Sequence, residues 1–336
     1  MAIVALMPVQ DRIVVTGGSG FVGRKLCTEL ELHSCKVSRT VRAFLPLNSA
    51  SSGLVHVGQI DGATPWLQTL QGAKIIIHLA ARVHIMQDTM IDPLTAFRAV
   101  NVEGTLNLAR QAAVAGVKRF VFVSTAKVNG ESTQPDRPFT EVDIPNPQDA
   151  YSLSKYEAEQ GLRRIAADTG MAVVIIRPPL VYGPGVKANF AVLMQAVQQG
   201  RPLALGSVNN RRSLVALDNL VDFILICMTH PKAANQTFLV SDGNDLSTAE
   251  LVRGLARAAG VAPRLLPVPV WALQAGAMLL GKEDEVQRLC GSLQVDISKA
   301  RQLMGWRPPI VVDEGLRRAV AGMAGAAGQT GSARIA

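Results

Sequence analysis

With 336 residues, the chain is long enough for two domains, or for one large α/β domain with an appendage. It is 48% hydrophobic and 18% charged, a balance that supports a full buried core and excludes a disordered or fibrous chain. The net charge of +8 suits an anionic partner, but no Lys/Arg run concentrates it and only 4% of residues are aromatic, which argues against nucleic acid.

The opening "MAIVALMPVQDR" has no basic n-region and no clear cleavage site, so no signal peptide is expected. "RIVVTGG", from Arg12, reads as a buried strand, and an apolar-periodic helix follows over about 20–32. "KVSRTVR" from Lys36 reads as a second strand, "VGQI" closes a third, and "KIIIHLAA" from Lys74 is the fourth. A long helix is expected over about 92–116, with Pro93 in its first turn. "RFVFVST" from Arg119 is another strand, a helix begins at "AYSLSKYEAEQ", and "MAVVIIRPP" from Met171 is the sixth strand. Strands alternating with helices imply βαβ units and a parallel sheet covered on both faces.

After Pro178 the pattern loosens through "YGPGVKAN" into shorter elements. The expected division is a dinucleotide-binding unit over 12–178, a mostly substrate-binding region over 179–318, and a flexible Ala/Gly/Ser-rich tail over 319–336. "VPVWALQAGAMLL", Val268 to Leu280, is too short to span a bilayer and reads as a buried helix or a lid. No integral membrane segment is expected, and any membrane association would be peripheral. Cys27, Cys35, Cys227 and Cys290 have no CxxC or Cys/His spacing. They read as reduced, mostly buried thiols of a cytoplasmic protein, with no metal site.

The first strand runs into "TGGSGFVG", where Gly17, Gly20 and Gly23 follow GxxGxxG and Phe21 and Val22 open the helix. Glycine lets the chain turn sharply, lets a pyrophosphate reach the backbone, and lets helix and strand pack closely. A strand before and a helix after supply the context the motif needs. The fold expected is therefore a Rossmann-type doubly wound parallel sheet with a smaller C-terminal α/β region. NAD binders place an acidic residue about 20 positions further on. Residues 36–42 hold none and carry Arg39 and Arg42 instead. An arginine there suits a 2′-phosphate, so NADP(H) is favoured, with NAD(H) as the alternative.

Tyr151 and Lys155 are four residues apart and share a helix face. A free phenol, with a pKa near 10, is a poor base at neutral pH. A neighbouring ammonium and an oxidised nicotinamide would both favour its phenolate. Tyr151 could then exchange a proton with a substrate hydroxyl or carbonyl while hydride moves to or from the cofactor. Ser124 and Thr125, at a strand end, offer the hydroxyl that should bind the same oxygen.

"TGGSGFVG", "HLAA", "NVEGT", "VSTAKVNG", "YSLSK" and "RPPLVYGPG" occur in this order. Together they resemble the extended short-chain dehydrogenase/reductases, in the nucleotide-sugar epimerase/dehydratase branch, from about Arg12 to Pro309. The resemblance implies Tyr151 as acid/base, Lys155 as its activator and ribose contact, and Thr125 as the catalytic hydroxyl. It implies that Leu79, Ala80, Ala81, Asn101 and Pro178 border the cofactor, with Gln59 and Ile60 at the adenine. It implies Asn189 and Arg212 as contacts to a UDP-sugar diphosphate, and a homodimer pairing two long helices, residues 92–116 and 150–167. Departures are Asn129 for a family Tyr, Gln59 for an Asp, and Leu180 for an Asn.

Dehydratases of the branch resemble one another in an Asp-Glu pair after the catalytic Thr. Ala126 and Lys127 stand there, which disfavours water loss. A 4-epimerase with tightly held NAD and a 4-keto reductase remain. The arginines favour the reductase. "HLAARVHIMQD" and "FVSTAKVNGEST" resemble a bacterial group that reduces UDP-2-acetamido-2,6-dideoxy-xylo-4-hexulose to UDP-N-acetylquinovosamine for surface polysaccharide. Arg82 and His84, just beyond the fourth strand, are expected at the substrate. A relative that senses dinucleotide without chemistry is the third reading; Tyr151 and Lys155 speak against it.

Overall fold

The computed structural model describes residues 11–42, 53–83, 92–134, 136–281 and 283–331. In chain order the first elements are β1 (Arg12–Thr16), α1 (Phe21–Leu32), β2 (Lys36–Val41), β3 (Leu54–His56), α2 (Leu67–Leu70) and β4 (Ala73–His78). Then come α3 (Pro93–Arg98), a π-helical turn (Ala99–Gly104), α4 (Thr105–Val114), β5 (Arg119–Val123), α5 (Ala150–Thr169), β6 (Ala172–Arg177) and β7 (Leu180–Tyr182). The remainder is α6 (Ala188–Gln198), β8 (Leu214–Ala216), α7 (Leu217–Thr229), β9 (Thr237–Leu239), α8 (Thr248–Ala259), α9 (Val270–Leu280), α10 (Glu283–Cys290), α11 (Ser298–Met304) and α12 (Val312–Gly331).

Seven parallel strands form the main sheet in the order β3-β2-β1-β4-β5-β6-β9. Chain direction across the sheet reverses between β1 and β4, and the crevice at the carboxyl ends there is the ligand position of such folds. The strand residues divide by parity. Ile13, Val15, Ile75, Ile77, Val121, Val174 and Ile176 join the core under α1 and α7. Val14, Ile76, Phe120, Phe122, Val173 and Ile175 join the opposite core with α4 and α5. Near-continuous apolar strands are what a sheet covered on both faces requires. α4 and α5 approach closely because Gly161 has no side chain: a Cβ there would lie 2.5 Å from Leu106.

Three expectations change. The long helix of residues 92–116 is interrupted by the π turn over Ala99–Gly104, which bulges the backbone beside the site. The division at Pro178 is crossed: β9 adds the seventh strand beside β6, and α7 packs on α1. The tail does not fray at residue 319. Leu316, Ala319 and Val320 are buried in α12, on a stripe that packs against α8, and Gly322 closes on Pro184. Small residues permit that close approach, so an Ala/Gly-rich run here is a packing signal. Residues 332–336 lie outside the described residues. All four cysteines are unbonded; Cys27 and Cys227 are buried.

Candidate active site

The glycine turn is built as the crevice demands. Gly17 has φ of +70°, a left-handed conformation, and a Cβ there would meet the Ala80 amide at 2.8 Å. A Cβ on Gly23 would stand 2.1 Å from the Gly17 carbonyl oxygen, so helix and turn can pack only with glycine. α1 starts at Gly20 with no side-chain cap and no acidic residue in its first turn. Its free amides and helix dipole are left for an anion. This backbone cradle fits the pyrophosphate of a dinucleotide. Phe21 and Val22 lie half-buried behind it. Leu79, Ala80 and Ala81, also half-buried, form the opposite lip; the Leu79 amide donates to the Thr16 carbonyl at 3.2 Å.

The adenine side is less committed. Gln59 is exposed and Ile60 buried, with Ile60 resting against Gly104 of the π turn. Arg39 lies beside Gly18 but is ion-paired with Glu31 at the end of α1. Arg42 is exposed just past β2. The sequence expectation of two free arginines is therefore reduced to one.

α5 begins on a capping box: Asp149 accepts from the Ser152 amide at 2.6 Å, and Ser152 Oγ accepts from the Asp149 amide at 3.2 Å. Lys127 Nζ bonds Asp149 at 2.8 Å, so the residue that replaces the dehydratase carboxylate pair pins the helix start instead. Tyr151 and Lys155 follow on one face of α5. The Tyr151 ring meets Phe97 edge-on at 6.2 Å, and the Arg82 guanidinium stands 5.7 Å from the centre of the same Phe97 ring. Lys155 Nζ sits 3.9 Å over the Phe122 ring.

Burial pushes the Tyr151 phenol up to about 12, helped by the nearby Asp149 carboxylate. Burial pulls the Lys155 ammonium down to about 7, opposed by Glu159. Desolvation thus favours both neutral forms, the reverse of the priming expected from the Tyr–Lys spacing alone. A cationic nicotinamide in the cleft would tip the phenol toward its phenolate.

The two candidate hydroxyls separate clearly. Ser124 is buried and donates to Glu159 at 2.6 Å. Thr125 is half-buried and accepts only from the Lys127 amide at 3.3 Å, leaving its proton for a substrate oxygen. The Ala126 amide donates to the Pro178 carbonyl at 2.9 Å, which holds Thr125 and Pro178 side by side at the strand ends.

Several site-building residues escaped the sequence reading. Glu159 accepts two bonds from Arg177, at 2.9 and 2.6 Å, and both groups are at most 1% exposed. Arg177 also donates to Asn129 at 2.9 Å, and Asn129 donates to the Thr140 carbonyl at 2.8 Å. Asn129, the departure from the family Tyr, is thus a link in a closed polar network. Its signal was an arginine ending an apolar strand and a glutamate four residues after Lys155. His78, fully buried, bridges Thr16 at 2.6 Å and Thr105 at 2.9 Å, and burial, with the Lys155 charge, lowers it to about 3.

Asn101 is 1% exposed: it accepts from the Arg82 amide at 2.8 Å and donates to the Arg82 carbonyl at 3.1 Å and Ser154 Oγ at 2.9 Å. These bonds position the β4 loop against α5. Arg212 donates through Nη1 to the carbonyls of Arg288 and Gly291, at 2.6 and 3.1 Å, which ties it to the end of α10. Asn189 is exposed in the first turn of α6, and among the described residues no hydrogen bond joins it to the Tyr151 cluster. His84 lies outside the described residues.

Comparison with known proteins agrees with this geometry. Residues 13–241 match a model of the NAD dependent epimerase/dehydratase family. The chain is 49% identical over 307 residues to a UDP-glucose 4-epimerase of Vibrio cholerae, covering 91% of this chain and 93% of that one. The fold matches a UDP-glucose 4-epimerase of Thermotoga maritima solved with UDP-glucose, with a TM-score of 0.74 at 22% identity, over 94% of this chain and 99% of that one. It also matches MoeE5 solved with UDP-glucose and NAD, at a TM-score of 0.73 and 22% identity over the same shares.

Proposed function

This chain belongs to the NAD dependent epimerase/dehydratase family, and we propose that within it the chain is a UDP-hexose 4-epimerase working with NAD. One observation supports the reading: Thr125 follows β5, the turn after it packs on α5, which carries Tyr151 and Lys155, and no carboxylate stands in the Ala126–Lys127 places to expel water. The 49% identical relative supports it. NAD, held on the glycine turn, would accept the hydride from C4 and return it.

The chain's own residues do the rest. Tyr151 takes the proton of the C4 hydroxyl as C4 is oxidised and gives it back once the keto sugar has turned its other face. Thr125 bonds the same oxygen and keeps it aligned. Lys155 holds the phenolic end of α5 in a positive field whenever it is charged. The buried Glu159–Arg177 pair fixes the helix, so the proton path does not depend on a mobile loop. Ala81 and Pro178 border the nicotinamide, Gln59 and Ile60 the adenine, and Asn189 faces the nucleotide side. A homodimer through the outer faces of α4 and α5 belongs to the same reading.

A second reading is kept by one observation. β2 has no carboxylate for a ribose, and Arg42 is exposed at its end, which suits NADP(H) and a 4-keto reductase acting on a UDP-4-keto-6-deoxy-HexNAc. The test is direct. Purified protein is given UDP-glucose or UDP-N-acetylglucosamine without added cofactor, and the C4 epimer is sought by nuclear magnetic resonance. Appearance of the epimer supports the epimerase. Stoichiometric loss of NADPH absorbance with the keto sugar, and no epimer, would replace it with the reductase.

A further inference from the structure

The apolar stretch expected to be a buried helix or a lid is the most exposed apolar helix of the molecule among the described residues. α9 (Val270–Leu280) buries only Ala277. Val270 and Leu273 lean on the C-terminal core. Trp271, Ala275, Met278 and Leu279 share the outward face at i, i+4, i+7 and i+8, and Trp271, Met278 and Leu279 are 72%, 73% and 88% exposed. Leu280 and Leu266, at 73% and 49%, extend the patch to both ends of the helix.

We propose that α9 is a membrane-surface element that seats this protein on an anionic lipid bilayer. The helix has 11 residues, too few to cross a bilayer but enough to lie in its interface. A tryptophan at one end suits the headgroup level. The charge around it selects the partner. Arg201 and Arg264 flank the segment leading into α9, side by side because the Leu203 amide donates to the Arg264 carbonyl at 2.8 Å. Both are exposed, and no carboxylate pairs with either among the described residues. The other end of α9 is acidic: Glu283, Asp284 and Glu285 open α10, which packs against α9. The basic end, with a net charge of +8 over the chain, is the one that would meet an anionic surface. A second copy of the chain is a poorer occupant: one short helix face offers a handful of side chains, against the roughly 20–30 residues a side of a stable protein interface.

The chain carries its own reporter. Of its three tryptophans, Trp66 and Trp306 are 0% and 3% exposed, so only Trp271 changes environment when α9 enters lipid. The full-length protein is titrated with phosphatidylcholine vesicles containing phosphatidylglycerol, and with pure phosphatidylcholine vesicles. Expected are a blue shift of tryptophan emission and flotation with the anionic vesicles, both weakened by salt. Paired Arg201→Glu and Arg264→Glu substitutions should weaken that binding roughly tenfold or more. Met278→Glu with Leu279→Glu should abolish it while leaving melting temperature and nucleotide-sugar turnover unchanged. No shift with anionic vesicles, equal binding to neutral ones, or binding that survives Met278→Glu with Leu279→Glu would each overturn the proposal. So would a monomer formed from a wild-type dimer by those two substitutions, which would make the face a contact between copies. A rise in KM for the nucleotide sugar would make α9 a substrate lid instead. None of these outcomes depends on whether the enzyme epimerises or reduces.

Discussion

α5 and α9 solve opposite problems. α5 buries Ser152, Ser154, Lys155 and Glu159 to 2% exposure or less, and most of these polar groups have a partner on the sheet or on its own first turn. α9 is apolar but for Gln274 and buries one alanine. Burial therefore does not follow hydropathy along this chain; it follows which neighbours the topology supplies. β4, β5 and β6 give α5 a wall of Phe122, Arg177 and Asn101-anchored loop, and a buried charge is tolerated where a counter-charge is fixed beside it. α9 hangs beyond the last strand with only α10 and the edge of the C-terminal core to lean on.

Four substitutions probe the two helices and their surroundings, the most damaging first. Tyr151→Phe should lower kcat by about 10²–10⁴, the range of a general acid–base group, while dinucleotide binding by calorimetry stays near wild type. Retained turnover would remove Tyr151 from its role. Glu159→Ala strands a buried guanidinium and should cost about 3–5 kcal/mol in chemical denaturation. Glu159→Met combined with Arg177→Leu should recover most of it; a double variant as unstable as the single one would show that packing, not pairing, holds α5.

His78 sets a pH dependence. Its folded pKa, about 3, lies below the ordinary 6.5. Between those values the unfolded chain binds a proton that the folded chain refuses, so stability falls as pH falls through that window. The slope is up to about 1.4 kcal/mol per pH unit. His78→Gln, able to bond both Thr16 and Thr105, should flatten that slope in urea titrations from pH 6.5 downward. An unchanged slope would assign it to other groups. Leu279→Ser is the smallest: a surface change on α9 should alter stability by less than about 0.5 kcal/mol. A loss of 2 kcal/mol would mean that α9 is buried in the protein as it exists in solution.

Much of the site was legible beforehand because it is local. The glycine spacing and the Tyr151–Lys155 interval act within a few positions, so chain order suffices to read them. Thr125 is separated from Ser124 by resemblance, while residue type and spacing leave both open. Their difference is made by Glu159, 35 residues away from Ser124. Nor does spacing show that Arg212 reaches the end of α10 and Asn101 the β4 loop, partners far from them in the chain or across a turn. The two arginines after β1 read as a matched pair, until Glu31 claimed one of them.

The amino-acid order alone determined the alternating strands and helices, the parallel sheet, the anion-ready turn and the placing of Tyr151 and Lys155 on one helix face. These depend on backbone conformation and short-range side-chain geometry. The long-range packing adds that Ser124 is tied to Glu159, that desolvation raises the Tyr151 phenol and lowers the Lys155 ammonium, that residues past Pro178 return to the main sheet, and that the most apolar helix stays outside. Each of those depends on long-range contacts, which set the local dielectric and the available partners, and neither quantity is written in the spacing of residues along a chain.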